Sequence, residues 1–270
     1  MDNRPIGIFD SGLGGLTCVK EITRILPGED IIYFGDTGRV PYGTRSAGTI
    51  VKYVRQDINF LKRFDIKYIV IACGTASSAA LPVIQDEFDT EIIGVLMPAA
   101  ARAVEATRNK KVGVLGTGGT IRSGKYAEQI QILDPDITVY QQACPLFVPL
   151  VENGYTNGEV ARLVAADYLA PLKEAGVDTV ILGCTHYPLL RQVIGDIMGS
   201  GVKLVDAGAS TADYAKYVLG HRHLLSGKDA GGKVQFFVSD LVEGFAALGS
   251  AFLERTITDA EIQQIDIEAY

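Results

Sequence analysis

The sequence predicts an α/β protein built on parallel sheet. Short apolar runs rich in Val and Ile recur along the chain, and amphipathic helical stretches separate them. The runs are apolar on both faces, which suits strands covered by helices on each side. Strand and helix in alternation point to parallel pairing.

In chain order the runs are IGIF, DIIYFG, YIVIAC, EIIGVL, KVGVLG, ITVYQQAC, TVILGC, VKLVDA and KVQFFVS. Helical patterns cover 46–64, 157–176 and 241–255. The second of these opens on Asn157 as a cap and closes on Gly176, the usual helix punctuation. Nine strands make one sheet or two. An internal echo favours two similar domains: YIVIACGT and DTVILGCT each present an apolar strand, a Cys at its end and then a Thr. Pro98 follows the fourth run and marks a candidate crossover between them. No low-complexity linker intervenes, so the two domains are expected to be closely packed.

Composition narrows the function. The chain has 270 residues and is 47% hydrophobic, enough for one large core or two modest ones. Its net charge of -7 leaves no basic surplus to neutralise phosphates, which argues against nucleic acid. No Lys/Arg block suits a membrane surface. No charged leader precedes a long apolar run, and no run approaches the roughly 20 residues of a membrane span. A soluble cytoplasmic protein is expected. The four cysteines, Cys18, Cys73, Cys144 and Cys184, form no C-x-x-C pair, so neither zinc nor a disulfide is expected.

In open parallel sheets, ligands bind beyond the carboxyl ends of the strands. Those ends carry Asp10–Gly15, Asp36–Gly43, Cys73–Ser78, Thr117–Thr120, Cys144–Pro145 and Cys184–Pro188, a crowd of hydroxyls, glycines, acids and thiols. Such loops suit an anionic group, carboxylate or phosphate. GLGGLT and GTGGTI both lack the last glycine of a dinucleotide fingerprint, and no G-K-[ST] follows, so tight turns are the better reading.

A lone cysteine is usually a small buried hydrophobe. Cys18, spaced with Ile22 and Ile25 on a helix, reads as packing, and so does Cys144 before Pro145. Cys73 and Cys184 end echoing strands, and a helix N-terminus there lowers a thiol pKa. Acyl transfer by a Cys184/His186 pair leaves Cys73 idle. Two thiols across one carbon can instead remove a proton from one face and return one to the other. No lysine directly follows a strand. Lys67, Lys110, Lys111, Lys203 and Lys233 precede strands, so a pyridoxal Schiff base has no candidate there and a cofactor-free reaction is consistent.

IGIFDSGLGGLT, YFGDTGRVPYG, IACGTASS, GTGGTIRSGKY, ACPLFVPLVENG and ILGCTHYPLL, in that order, resemble the glutamate racemases. FFVSDLVEGFAALGSAFL is more loosely similar. The resemblance implies two α/β domains of similar fold with the active site in the cleft between them. It places one domain at 1–97 plus 207–270 and the other at 98–206. It implies cofactor-independent interconversion of L- and D-glutamate, supplying D-glutamate for peptidoglycan, in an enzyme that is often a homodimer. By motif, Cys73 and Cys184 are the acid/bases. Asp10 assists Cys73, and His186 with Glu152 assists Cys184. Asp10, Ser11, Pro41, Tyr42, Gly43, Gly74, Thr75, Thr117, Thr120, Thr185 and His186 meet the substrate.

Bland readings stand beside these. Asp10 and Asp36 are both placed to cap helices; Asp10 takes the functional reading and Asp36 stays open between the two. Glu152 alone reads as a solvated helix residue. The chain departs from the resemblance at Gly38 and Gly119, where Ala is usual, and at Gly74, where Asn is usual. Losing one hydrogen bond to a charged group costs roughly 1.5–3 kcal/mol, over tenfold in affinity. The alternative substrates are aspartate, a hydantoin or another small carboxylic acid.

Overall fold

The computed structural model describes residues 1–241 and 245–270. Among the described residues ten strands form: β1 (Ile6–Asp10), β2 (Ile31–Gly35), β3 (Tyr68–Ile71), β4 (Ile92–Gly94), β5 (Lys111–Gly116), β6 (Thr138–Ala143), β7 (Thr179–Leu182), β8 (Lys203–Asp206), β9 (Val234–Val238) and β10 (Ile262–Gln264). They make two sheets, in the orders β10-β9-β2-β1-β3-β4 and β6-β5-β7-β8. Every pairing is parallel. The fold is thus α/β with two parallel-sheet domains.

All nine apolar runs became strands. β10 escaped notice because two of its three residues are exposed glutamines at a sheet edge, where no apolar pattern is needed.

Alternation along each strand feeds two cores. Ile8, Tyr33 and Val70 pack on one face of the six-stranded sheet, while Phe9, Phe34 and Ile71 pack on the other. Val180 and Leu182 of β7 point into the first of these clusters, and Ile181 points the opposite way with Val112 and Val114. One core therefore runs continuously from sheet to sheet. Each fully buried aliphatic or aromatic side chain contributes about 1.5–3 kcal/mol, so the two sheets are fixed against each other by packing.

The pattern over 46–64 becomes the helix Ala47–Leu61, with the Ser46 hydroxyl accepting from the Thr49 amide at 3.3 Å, and a 3₁₀ turn at Lys62–Phe64. The pattern over 157–176 becomes Gly158–Ala175. Gly176 ends it at φ 68°, as glycine allows. Asn157 precedes it, but its side chain makes no capping bond. The pattern over 241–255 gives the helix Phe245–Leu253; its expected first turn falls on 242–244, outside the described residues. Pro98 lies in the first turn of the helix Leu96–Ala106, through which the chain passes from β4 in one sheet to β5 in the other. Among the described residues no helix is long and apolar enough to cross a membrane.

Charge is buried where it is paired. Lys67 and Glu29 meet at 2.5 Å with both side chains almost fully covered. Lys67 also donates to the Asp2 carbonyl, and Glu29 accepts from the Ser226 amide, tying the N-terminus and a late loop to the start of β3. Removing one partner strands the other charge. Lys67→Met is expected to lower the unfolding free energy by about 3–5 kcal/mol, read from denaturant melts. Adding Glu29→Leu to it should recover much of the loss; equal instability of the double variant would contradict this assignment.

Candidate active site

Loops at the carboxyl ends of β1, β2, β3, β5 and β7 converge on one small cavity. It is lined by Ser11, Val40, Pro41, Tyr42, Gly43, Cys73, Gly74, Thr75, Thr117, Thr120, Val148, Gly183, Cys184, Thr185 and His186. Its volume is about 40 Å³. At about 10–15 Å³ for each water, that is space for about three waters. Both sheets contribute to its walls. Cys73 follows β3 of the six-stranded sheet and Cys184 follows β7 of the four-stranded one. Cys18 and Cys144 are buried away from it, as packing residues should be.

Cys73 caps the short helix Gly74–Ala79, and its sulfur accepts from the Ala76 amide at 3.5 Å. Its thiol donates to Ser11 Oγ at 3.4 Å. The capping position is as expected, but the thiol is not acidified. Burial, reinforced by the Asp10 carboxylate, pushes it up to about 12 against the pull of Ser11 and the Ala76 amide. Two weak hydrogen-bonding partners cannot offset the loss of water around a thiolate.

Cys184 is placed differently. It does not cap a helix; a 3₁₀ turn, Tyr187–Leu190, begins three residues later. Its partner is His186, whose Nδ1 lies 3.9 Å from the sulfur. His186 Nε2 lies 3.0 Å from Glu152 Oε1. Burial opposes charge on the imidazole, yet Cys184 and Glu152 together raise its pKa to about 10. At neutral pH both ring nitrogens then carry hydrogen, one donating toward Cys184 and the other to Glu152. The ring also stands edge-on to Phe252, with centroids 5.1 Å apart.

Glu152 is thus outside the cavity, behind His186, at the end of the helix Phe147–Glu152. Asp10 is also behind the wall. It is 1% exposed, its Oδ2 accepts from the Gly12 amide at 3.0 Å, and its Oδ1 has no partner among the described residues. Burial pushes its carboxyl above the usual range, while the charge on His186 and the amides of Gly15, Gly12 and Ser11 act against that. The loop that follows approaches the second thiol closely. A Cβ on Gly14 would fall under 3.0 Å from both Thr185 Oγ1 and His186 Nδ1, so only glycine fits there.

Three hydroxyls join the two sheets. Thr75 Oγ1 is 2.9 Å from Thr117 Oγ1 and 3.4 Å from Thr120 Oγ1, and the latter two are 3.1 Å apart. Thr117 also caps the helix Gly118–Ser123 by accepting from the Thr120 amide. The cluster offers a compact set of donors for a carboxylate.

Two side chains of the 36–44 loop are turned away from the cavity. Tyr42 lines the cavity, but its hydroxyl is turned into the protein, donating to Asp36 and lying 3.1 Å from Asp57. It therefore cannot offer that hydroxyl to a ligand. Asp36 caps no helix. It accepts from Arg39 at 2.7 Å and from Ser239 at 2.7 Å. Arg39 continues to Gln56 at 2.6 Å and Asp57 at 3.1 Å, stacked over the Tyr53 ring. Burial, reinforced by Asp36, pushes the Asp57 carboxyl well above its ordinary range. This network holds the 36–44 loop whose Pro41 and Gly43 line the cavity. Arg39 and Asp57 were missed because a buried charge network leaves no mark in a helical pattern. Val148, Val40 and Gly183 were missed because apolar and glycine residues give no chemical signal. Among the described residues no group of three or more His, Cys, Asp or Glu is placed to hold a metal.

Comparison with known proteins agrees with this fold. The family described as Asp/Glu/Hydantoin racemase matches residues 6–215. A glutamate racemase of Geobacter metallireducens is 50% identical, covering 98% of each chain. The crystal structure of glutamate racemase isoform RacE1 from Bacillus anthracis superposes with a TM-score of 0.94 at 36% identity, covering 98% of each chain. That of the Francisella tularensis glutamate racemase with D-glutamate gives 0.92 at 38% identity over the whole of both chains. Since the family match spans most of the chain and the relatives span nearly all of it, the chain belongs to the Asp/Glu/hydantoin racemase family.

Proposed function

We propose that this chain interconverts L- and D-glutamate by proton transfer between Cys73 and Cys184, without an organic cofactor. The observation that carries the reading is that two thiols from two different sheets line one cavity, each with its own charged helper behind it. The substrate Cα lies between the sulfurs. One sulfur, as thiolate, takes the Cα proton, forming an S–H bond as the C–H bond breaks. The other, as thiol, delivers its proton to the opposite face, and the stereocentre inverts. The reverse reaction exchanges the roles.

The helpers suit the task. Protonated His186, held by Glu152, stabilises negative charge on Cys184 and can return a proton to it. The unpartnered Asp10 oxygen is a ready acceptor for a proton leaving Cys73. Thr75, Thr117 and Thr120 hold a substrate carboxylate, with Ser11, Thr185 and the backbone of Pro41, Tyr42 and Gly43 completing the contacts. The cavity must widen to admit an amino acid. We further propose that the chain divides as 1–97 plus 207–270 and 98–206, that it is a homodimer, and that it works in the cytoplasm to supply D-glutamate for peptidoglycan.

Acid–base groups contribute typically 10²–10⁴-fold. Cys73→Ala and Cys184→Ala are each expected to lower glutamate racemisation, followed by circular dichroism, by at least about 10²-fold; a fully active variant of either would refute the two-thiol reading. Gly74 is the position where the chain departs from the resemblance inside the cavity, so aspartate is the competing substrate to test. Assays with aspartate and glutamate side by side decide it: glutamate turnover is expected, and aspartate turnover alone would overturn that assignment.

The pH profile carries a sign. His186 must keep its proton, and its pKa is held up to about 10. The rate should therefore fall as pH rises through about 10. Glu152→Gln removes one of the interactions that raise this pKa, so the alkaline limb of kcat/KM should move to lower pH. An unmoved limb would remove His186 from the proton inventory.

A further inference from the structure

Gly74 and Gly183 each adjoin a thiol, Gly74 just after Cys73 and Gly183 just before Cys184. They belong to different sheets, yet they meet. A Cβ placed on Gly74 would stand under 3.0 Å from the Gly183 carbonyl oxygen and 3.5 Å from its carbon. Both atoms are backbone, so neither can swing aside as the end of a side chain does. Ordinary non-bonded contacts to carbon lie near 3.5–4.0 Å. The two thiol-bearing loops thus touch main chain to main chain.

The Gly183 loop has no room to retreat. A Cβ on Gly183 would lie 2.6 Å from the Leu115 carbonyl oxygen and 3.1 Å from the Tyr126 ring. Its amide donates to that same Leu115 oxygen at 2.8 Å. This loop is pinned to β5 and to a fully buried tyrosine. A side chain at position 74 must therefore push the two halves apart, or push Cys73 out of place on its own short helix. Proton transfer falls steeply with separation, and a displacement of about 1 Å can cost about 10²-fold.

We propose that Gly74 sets how far the two halves close, and hence the spacing of the two thiols across the substrate Cα. The usual Asn of the resemblance gives a side-chain amide at this position; this chain has instead a direct contact between its two catalytic loops. Gly74 is a positioning residue, acting through the placement of Cys73 against Cys184. The inference rests on the two-thiol reading.

Gly74→Ala and Gly74→Asn test it, with kcat and KM measured for both enantiomers of glutamate and folding checked by thermal melts. If closure is the role, both variants lose kcat at least about tenfold, and KM changes less than kcat. If the missing amide contact is what matters, Gly74→Asn instead lowers KM while keeping kcat, and the proposal is overturned. It is equally overturned if Gly74→Ala keeps kcat within about twofold of the parent. The parent enzyme in the same assay separates the two levels: no turnover of glutamate by it refutes the functional reading, whatever the variants do. Should the variants not fold, a crystal structure of the parent with D-glutamate reads the contact directly. Main-chain contact between Gly74 and Gly183 is expected there, and a gap that seats a Cβ overturns the proposal.

Discussion

Parallel pairing is the constraint on which the rest of the molecule depends. Within each sheet every strand runs the same way, so each sheet has one carboxyl edge where its loops gather. A single apolar core, from Ile8 and Val70 across to Val180 and Leu182, holds the two edges together. Everything chemical in the cavity follows from that meeting. Cys73 and Cys184 are brought to one cavity because each follows a strand end, and Thr75, Thr117 and Thr120 bridge the two sheets from the starts of the helices there. Small residues at the seam let the edges approach: Gly14 makes room for the Thr185 and His186 side chains, and Gly74 meets the Gly183 main chain.

The two thiols share one cavity but not one environment. Cys73 is buried beside the Asp10 carboxylate, and both raise its thiol pKa. Cys184 is backed by the His186 imidazole, whose pKa Cys184 itself and Glu152 raise against burial. A reaction that needs one thiol and one thiolate at a time is served by such opposite surroundings. The same buried charges interact across the seam: His186 lowers what burial raises on Asp10, so the helper of one thiol tempers the helper of the other. A third set of charges, Asp36, Arg39 and Asp57, touches no reacting atom. It fixes the loop that supplies Pro41 and Gly43 to the cavity wall.

Much of this was legible in the sequence, for physical reasons. Strands covered on both faces must be apolar throughout, so nine of ten were visible, and the tenth was hidden because an edge strand can be polar. Loops at strand ends announced themselves by small and hydroxyl residues. The echo of Cys73 in Cys184 marked two thiols that line one cavity. Other features depend on distances the chain does not encode locally. Glu152 reads as a solvated acid until His186 is found 3.0 Å away. Which part of Tyr42 faces the cavity is not readable from the sequence; Asp36 and Asp57 hold its hydroxyl inside the protein. A thiol at a helix start reads as acidic until its burial is known, and burial then dominates the dipole. Gly74 reads as a lost contact until Gly183 is found against it.

The central claim is that two different groups on opposite faces of one carbon move the proton. Racemisation of each glutamate enantiomer in D₂O, stopped within the first few per cent of conversion, tests this most directly. If two thiols act, the product carries deuterium at Cα while the recovered starting enantiomer remains protiated. If the starting enantiomer gains deuterium as fast as the product, or the product retains the original proton, a single group serves both faces and the account fails.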